Sequence, residues 1–162
     1  MHAVDFDDLV VKPVLLLRER PGIRHTWRTR FEHILVDEFQ DTNLAQLELV
    51  RLLANERGNV CVVGDDDQSI YGWRGACVDN ILDFDRHFPG AAVTKLERNY
   101  RSRASILNVA NAAIAQSPKR PYAKVLEASR LGGLPVRVCA LPEPQDEAKF
   151  VAAEIRKVHK AV

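Results

Sequence analysis

Residues 34–42 read Ile-Leu-Val-Asp-Glu-Phe-Gln-Asp-Thr, and residues 62–76 read Val-Val-Gly-Asp-Asp-Asp-Gln-Ser-Ile-Tyr-Gly-Trp-Arg-Gly-Ala. Each is a short apolar run that stops at a polar, carboxylate-rich turn. Such continuous runs suit strands buried on both faces of a parallel sheet, and the two lie about one strand-helix-strand unit apart. In an open α/β sheet, ligands bind just beyond the carboxyl ends of the strands. The turn carrying Asp37-Glu38 and the turn carrying Asp65-Asp66-Asp67-Gln68 are therefore expected to face one crevice. That arrangement suits a metal-phosphate site better than a structural role.

The flanking sequence extends the alternation. Asp5, with Asp8 three residues on, is a capping-box-like helix start. Pro13 is expected to break or kink that helix. Pro21-Gly22 restarts the chain, and Ile23, Trp27 and Phe31 recur at helical spacing. Asn43 with Gln46 opens a helix expected over Leu44 to Arg57, stopped by Gly58. Strands are expected at Ile34–Val36, Val60–Val63, Val93–Leu96 and Val136–Ala140. A helix between Val78 and Phe88 is expected to end at Pro89-Gly90, and Ser102 is expected to cap the next. Ser117 to Pro121 is a basic, proline-marked loop, and a last helix carries Phe150, Val151, Ile155 and Val158. Strands alternating with helices argue for a parallel α/β sheet.

Composition sets the bounds. The chain has 162 residues, 46% hydrophobic, enough for one core of ordinary domain size. A formal net charge of +1 argues neither for nor against nucleic acid, so any DNA contact must come from local patches. The helical arginines Arg18, Arg20, Arg24, Arg28 and Arg30, and the pair Lys119-Arg120, read as solvated faces. Cys61, Cys77 and Cys139 are too few and too scattered for a zinc site; reduced thiols are expected, with Cys61 in a strand core. No apolar stretch reaches transmembrane length, and no signal peptide opens the chain, so a soluble cytoplasmic protein is expected.

Asp37-Glu38-Phe39-Gln40-Asp41-Thr42 resembles the second helicase motif of the UvrD/Rep/PcrA-type superfamily 1 DNA helicases. Gly64 through Ala76 resembles their third motif, and Leu96-Glu97-Arg98-Asn99-Tyr100-Arg101-Ser102 their fourth. Asp5-Phe6-Asp7-Asp8-Leu9 resembles a segment that precedes the second motif. The resemblance implies a partial RecA-like parallel sheet flanked by helices, a fragment of the P-loop NTPase fold. Residues 1–95 would be the later part of the first RecA-like motor domain and residues 96–162 the beginning of the second. No Gly-x-x-x-x-Gly-Lys-Ser/Thr phosphate loop occurs in the chain; a family member would carry one upstream of residue 1, and further motor motifs downstream of residue 162. The chain is thus expected to be an internal slice of a helicase, paired with the rest of that chain and prone to self-association alone.

The resemblance also implies roles. Asp37 would hold Mg2+, directly or through water, and Glu38 would orient or deprotonate the water that attacks the γ-phosphate of ATP. Gln68 would contact that phosphate and couple it to the DNA loop. Tyr100 would stack on adenine, and Arg101 would reach the γ-phosphate, where a guanidinium fork suits phosphate oxygens. Arg98 stands where many relatives carry a neutral glutamine. Tyr71, Trp73 and Arg74 form an aromatic-aromatic-cation cluster on a glycine-flanked loop. Trp73 is the candidate for stacking on single-stranded DNA, Tyr71 stacks or packs beneath the loop, and Arg74 contacts a phosphate or braces the loop through an acid. The activity implied is ATP-dependent 3′-to-5′ translocation on single-stranded DNA and unwinding of duplex junctions, with the isolated chain inactive. A non-catalytic DNA- or protein-binding remnant, or part of a helicase-nuclease subunit, are the alternatives.

Overall fold

The computed structural model describes residues 3–117 and 122–161. Residues 118–121, which hold most of the expected basic loop and Lys119-Arg120, lie outside the described residues. The chain divides into two compact units, one of residues 3–96 with 122–124, the other of residues 97–117 with 125–161.

In the first unit, the expected Asp5–Asp8 pair is present: Asp8 N–H donates to Asp5 Oδ1 at 2.8 Å, and Asp5 N–H to Asp8 Oδ2 at 3.3 Å. Helix α1 (Asp8–Glu19) follows and continues past Pro13 without interruption, so the expected break does not occur. An interior proline costs about 3 kcal/mol, and burial of Val14 and Leu17, on the α1 face that meets α3 (Leu44–Leu53), offsets it. Helix α2 (Pro21–Arg30) leads to strand β1 (Ile34–Val36), which pairs in parallel with β2 (Val60–Val62) in the register Ile34↔Val60 and Val36↔Val62.

The Asn43–Gln46 capping box is formed in full at the start of α3. That helix stops at Leu53 rather than Arg57, because Asn55 is drawn elsewhere. Its Nδ2 donates to Phe31 O at 2.8 Å, and its Oδ1 accepts from Arg57 N–H at 3.0 Å. A side chain that bonds local backbone this way competes with helix continuation. The expected Val78–Phe88 helix is two single turns, α4 (Asp79–Leu82) and α5 (Phe84–His87), divided at Asp83. The division turns Phe84 edge-on to Phe39, ring centroids 5.6 Å apart, and Phe39 is fully buried. Full burial of such a side chain contributes about 1.5–3 kcal/mol. Cys61 lies on the exposed face of β2, not in a core.

In the second unit, strand β3 is Arg98–Arg103, not Val93–Leu96. It pairs in parallel with β4 (Glu127–Arg130), with Arg98↔Glu127 and Asn99↔Ala128 in register. The ladder decides the matter: apolar Val93 and Leu96 are exposed and make no strand pair among the described residues, whereas the polar segment that follows finds a partner. The same reason removes the strand expected at Val136–Ala140, where Val138 is 95% exposed. Helix α6 (Ala104–Ile114) begins after Arg103, with no side-chain cap from Ser102, and buries Leu107. Helix α7 (Pro144–Ala161) closes the chain as expected. The architecture is mixed α/β, built on two small parallel sheets.

Candidate functional site

β1 ends at Val36, and the next two residues are the acid pair. Asp37 and Glu38 are both exposed. Asp37 Oδ1 accepts the Glu38 N–H at 2.9 Å. Glu38 adopts φ 50°, ψ 41°, the one positive φ among the described non-glycine residues. A left-handed non-glycine residue costs of order 1 kcal/mol or more, and here the next residues hold it. Phe39 N–H donates to Val63 O at 3.0 Å, and Phe39 is buried in a 3-10 turn, Phe39–Asp41. Thr42 closes that turn, its Oγ1 donating to Phe39 O at 2.7 Å.

Gln40, 1% exposed, joins this turn to the one after β2. Its Nε2 donates to Glu38 Oε2 at 2.8 Å, and its Oε1 accepts the Asp65 N–H at 3.0 Å. Asp65 in turn caps the 3-10 turn Asp66–Gln68, accepting the Asp67 N–H at Oδ1 (3.0 Å) and the Gln68 Nε2 at Oδ2 (2.7 Å). One hydrogen-bonded chain therefore runs Glu38–Gln40–Asp65–Gln68 across the carboxyl ends of both strands. Gly64 permits it: a Cβ there would meet Gln40 Oε1 at 2.6 Å and Ile81 Cδ1 at 2.8 Å.

Lys124 completes the acid loop, and nothing in the sequence motifs points to it. Its Nζ lies 2.7 Å from Asp65 Oδ1, 3.0 Å from Asp66 Oδ1 and 2.8 Å from Asp67 Oδ2. Partial burial works to lower the Lys124 pKa, but hydrogen bonds to Asp65, Asp67 and Asp66 outweigh it and push it well above the ordinary lysine range. Burial works to raise the Asp65 carboxyl. Hydrogen bonds from Lys124, Gln68 and the Asp67 N–H outweigh that and hold it below the usual carboxylate range. Asp41 Oδ1, close by in sequence, is buried without a hydrogen-bond partner among the described residues.

The loop beyond Gln68 carries the aromatic cluster. Tyr71 and Trp73 lie 6.5 Å apart between ring centroids, and the Arg74 guanidinium sits 5.4 Å from the Tyr71 ring and 5.7 Å from the Trp73 ring. Gly75, at φ 89°, ends the 3-10 turn Gly72–Arg74. Trp73 is 80% exposed, so it does not pack against the sheet. Arg74 lies over the two rings and forms no ion pair among the described residues. Asn80, buried to 1% exposure, anchors the far side of the loop by donating from Nδ2 to Thr42 O at 3.0 Å and to Thr42 Oγ1 at 3.1 Å.

The structure thus brings Asp37, Glu38, Gln68, Tyr71, Trp73 and Arg74 onto adjoining turns of the first unit. Tyr100 and Arg101 belong to the second unit and lie within β3, not after a strand. Asn99 Oδ1 accepts the Arg101 N–H at 3.0 Å and the Ser102 N–H at 2.8 Å, which kinks the ladder there. Tyr100 is exposed, and the Arg98 guanidinium covers its ring at 5.4 Å.

Residues 1–89 match the UvrD/REP helicase N-terminal domain, and residues 94–162 match the UvrD-like helicase C-terminal domain. The chain is 46% identical over 156 residues to the ATP-dependent DNA helicase PcrA of Staphylococcus epidermidis. It is 45% identical over the same length to the protein of that name from Staphylococcus aureus. Each alignment covers 96% of this chain and 21% of the relative, so the chain spans about a fifth of the length of these proteins. The chain belongs to the UvrD/REP helicase family.

Proposed function

We propose that this chain carries part of the ATP- and DNA-handling surface of a DNA helicase motor. The hydrogen-bonded chain Glu38–Gln40–Asp65–Gln68 is the observation that carries the reading, because it couples a strand-end acid pair to a loop that continues into an exposed tryptophan. Residues 1–95 are read as the later part of a first RecA-like domain and residues 96–162 as the start of a second. The two family matches support that division.

Asp37 suits Mg2+, since its Oδ1 is engaged by the Glu38 N–H and its carboxylate is exposed at a strand end. Mg2+ takes few protein oxygens and keeps several waters; when bound it would neutralise charge on the nucleotide phosphates. Glu38, whose carboxylate accepts from Gln40 Nε2, would orient the attacking water or accept its proton. Gln68 would contact the γ-phosphate, and Tyr100 and Arg101 would contact adenine and phosphate. Tyr71, Trp73 and Arg74 present stacking faces to single-stranded DNA, a mode that tolerates any sequence. In the motor, ATP hydrolysis would drive 3′-to-5′ translocation and strand separation at duplex junctions. The isolated chain, which has no phosphate-loop lysine, is expected to turn over little ATP.

Fluorescence-detected binding of a labelled oligothymidylate, with and without Mg2+ and ATP, tests the reading on wild type and Trp73→Ala. Binding that drops roughly 5- to 150-fold in Trp73→Ala is the expected result, matching the loss of one stacked base. Equal binding by both proteins would remove Trp73 from the DNA surface, and binding by neither would leave the motor reading without its DNA half. Exposed apolar residues such as Leu35, 76% exposed on β1, also lead us to expect self-association that grows with concentration, measurable by light scattering.

A further inference from the structure

We propose that Lys124 is a positioning residue for Gln68, acting through Asp65. The ammonium and the glutamine amide bind opposite oxygens of one carboxylate: Lys124 Nζ lies 2.7 Å from Oδ1, and Gln68 Nε2 donates to Oδ2 at 2.7 Å. Asp65 Oδ1 also takes the Asp67 N–H, and the Asp65 N–H is tied to buried Gln40. The carboxylate therefore has one orientation, and that orientation aims Oδ2 at Gln68.

The contacts of the ammonium explain what it does. Asp65, Asp66 and Asp67 converge within 4.8 Å of one another, and Asp66 is buried. Like charges at this range repel strongly where water is partly excluded. Lys124 touches all three and lowers that repulsion. Without it, Asp65 Oδ1 keeps the Asp67 N–H but loses its ammonium contact, so the carboxylate gains freedom to turn and Oδ2 leaves Gln68. Arginine keeps the charge and offers a fork of donors, so it should preserve the arrangement where an uncharged side chain of similar length does not.

The importance of this positioning for ATP chemistry rests on the motor reading above, but the geometry can be tested without nucleotide or DNA. The side-chain amide of Gln68 is followed by 15N NMR in wild type, Lys124→Met and Lys124→Arg. In Lys124→Met the Gln68 resonances should move to free-amide positions and exchange with solvent roughly tenfold faster, as loss of a hydrogen bond to a charged group implies. Lys124→Arg should return both toward wild type. Gln68 resonances that stay in place in Lys124→Met, with core amides such as those of Phe39 and Leu47 unshifted, would overturn the proposal and leave Lys124 a local counter-ion. Should Lys124→Met fail to fold, the wild-type protein decides alone. A scalar coupling between Lys124 15Nζ and the Asp65 carboxylate carbon is expected, and its absence in folded protein overturns the proposal. Failure here leaves the DNA-binding result standing, whereas failure of Trp73 to bind DNA leaves the Gln68 geometry standing.

Discussion

Gln40 and Asp65 are bound side chain to backbone, Oε1 accepting the Asp65 N–H at 3.0 Å, while the other end of the same amide holds Glu38 at 2.8 Å. The residue between the motif carboxylates and the third-motif loop is thus a buried structural link with consequences for both. Gln40→Leu keeps most of the volume but leaves the Asp65 N–H and the Glu38 carboxylate without this partner. The loss should cost about 1–3 kcal/mol, read as a lower urea midpoint at unchanged m-value.

Gly64 and Gly72 make a contrasting pair. A methyl at Gly64 would stand 2.6 Å from Gln40 Oε1 and 3.2 Å from the Phe39 backbone nitrogen, atoms held by the hydrogen bonds just described. Gly64→Ala should therefore cost about 1–3 kcal/mol, as overpacking of a fixed neighbourhood does. Gly72 has nothing within 4 Å and no left-handed φ. Gly72→Ala should change stability by less than about 0.5 kcal/mol, and thermal melts of the two variants side by side separate these outcomes.

The residues show which parts of this were legible in the sequence. Ile34–Val36 and Val60–Val62 could be read because apolar runs ended at acid turns, and the Asn43–Gln46 box because its chemistry is local. Val93–Leu96 and Val136–Ala140 misled because strand identity depends on a ladder partner, which hydrophobicity does not specify. Pro13 misled because tertiary burial of Val14 and Leu17 overrode a local rule. The motif residues of the acid turns were visible as a resemblance, but Lys124 was not, since its partners lie far away in sequence and no local pattern marks it.

The Lys124–Asp65 contact also predicts a pH window. Asp65 titrates below its ordinary 3.8, so its contribution is present above that value and fades as pH falls through the lowered folded value. Lys124 titrates above its ordinary 10.5, so its contribution is present below 10.5 and is lost as pH rises through the raised folded value. The stability difference between wild type and Lys124→Met should hold across the range between those two ordinary values and shrink as pH falls below 3.8 toward the lowered folded value of Asp65. Urea midpoints of both proteins from pH 3 to pH 9 measure it; a difference that grows on acidification contradicts the assignment.

Asn80 gives the most discriminating test of how the loop is anchored. Its Nδ2 donates to three acceptors, Thr42 O at 3.0 Å, Thr42 Oγ1 at 3.1 Å and Asn43 O at 3.4 Å, at 1% exposure. Asn80→Ala removes a donor and leaves the two carbonyls with other partners, since Cys77 N–H already binds Thr42 O and Leu47 N–H binds Asn43 O. Its cost should be about 0.5–1.5 kcal/mol. Asn80→Asp is nearly isosteric yet puts a carboxylate against those same oxygens, none of which can neutralise it. It should be the worse of the two at pH 7, because a buried charge without a counter-ion costs more than a missing hydrogen bond. Its deficit should narrow as pH falls and the carboxyl protonates to a donor, while the Asn80→Ala deficit should show no such recovery. Parallel urea melts at pH 7 and pH 5 check this. Asn80→Asp as stable as wild type at pH 7 would mean that shape, not the donated hydrogen bonds, holds the helix turn to Thr42.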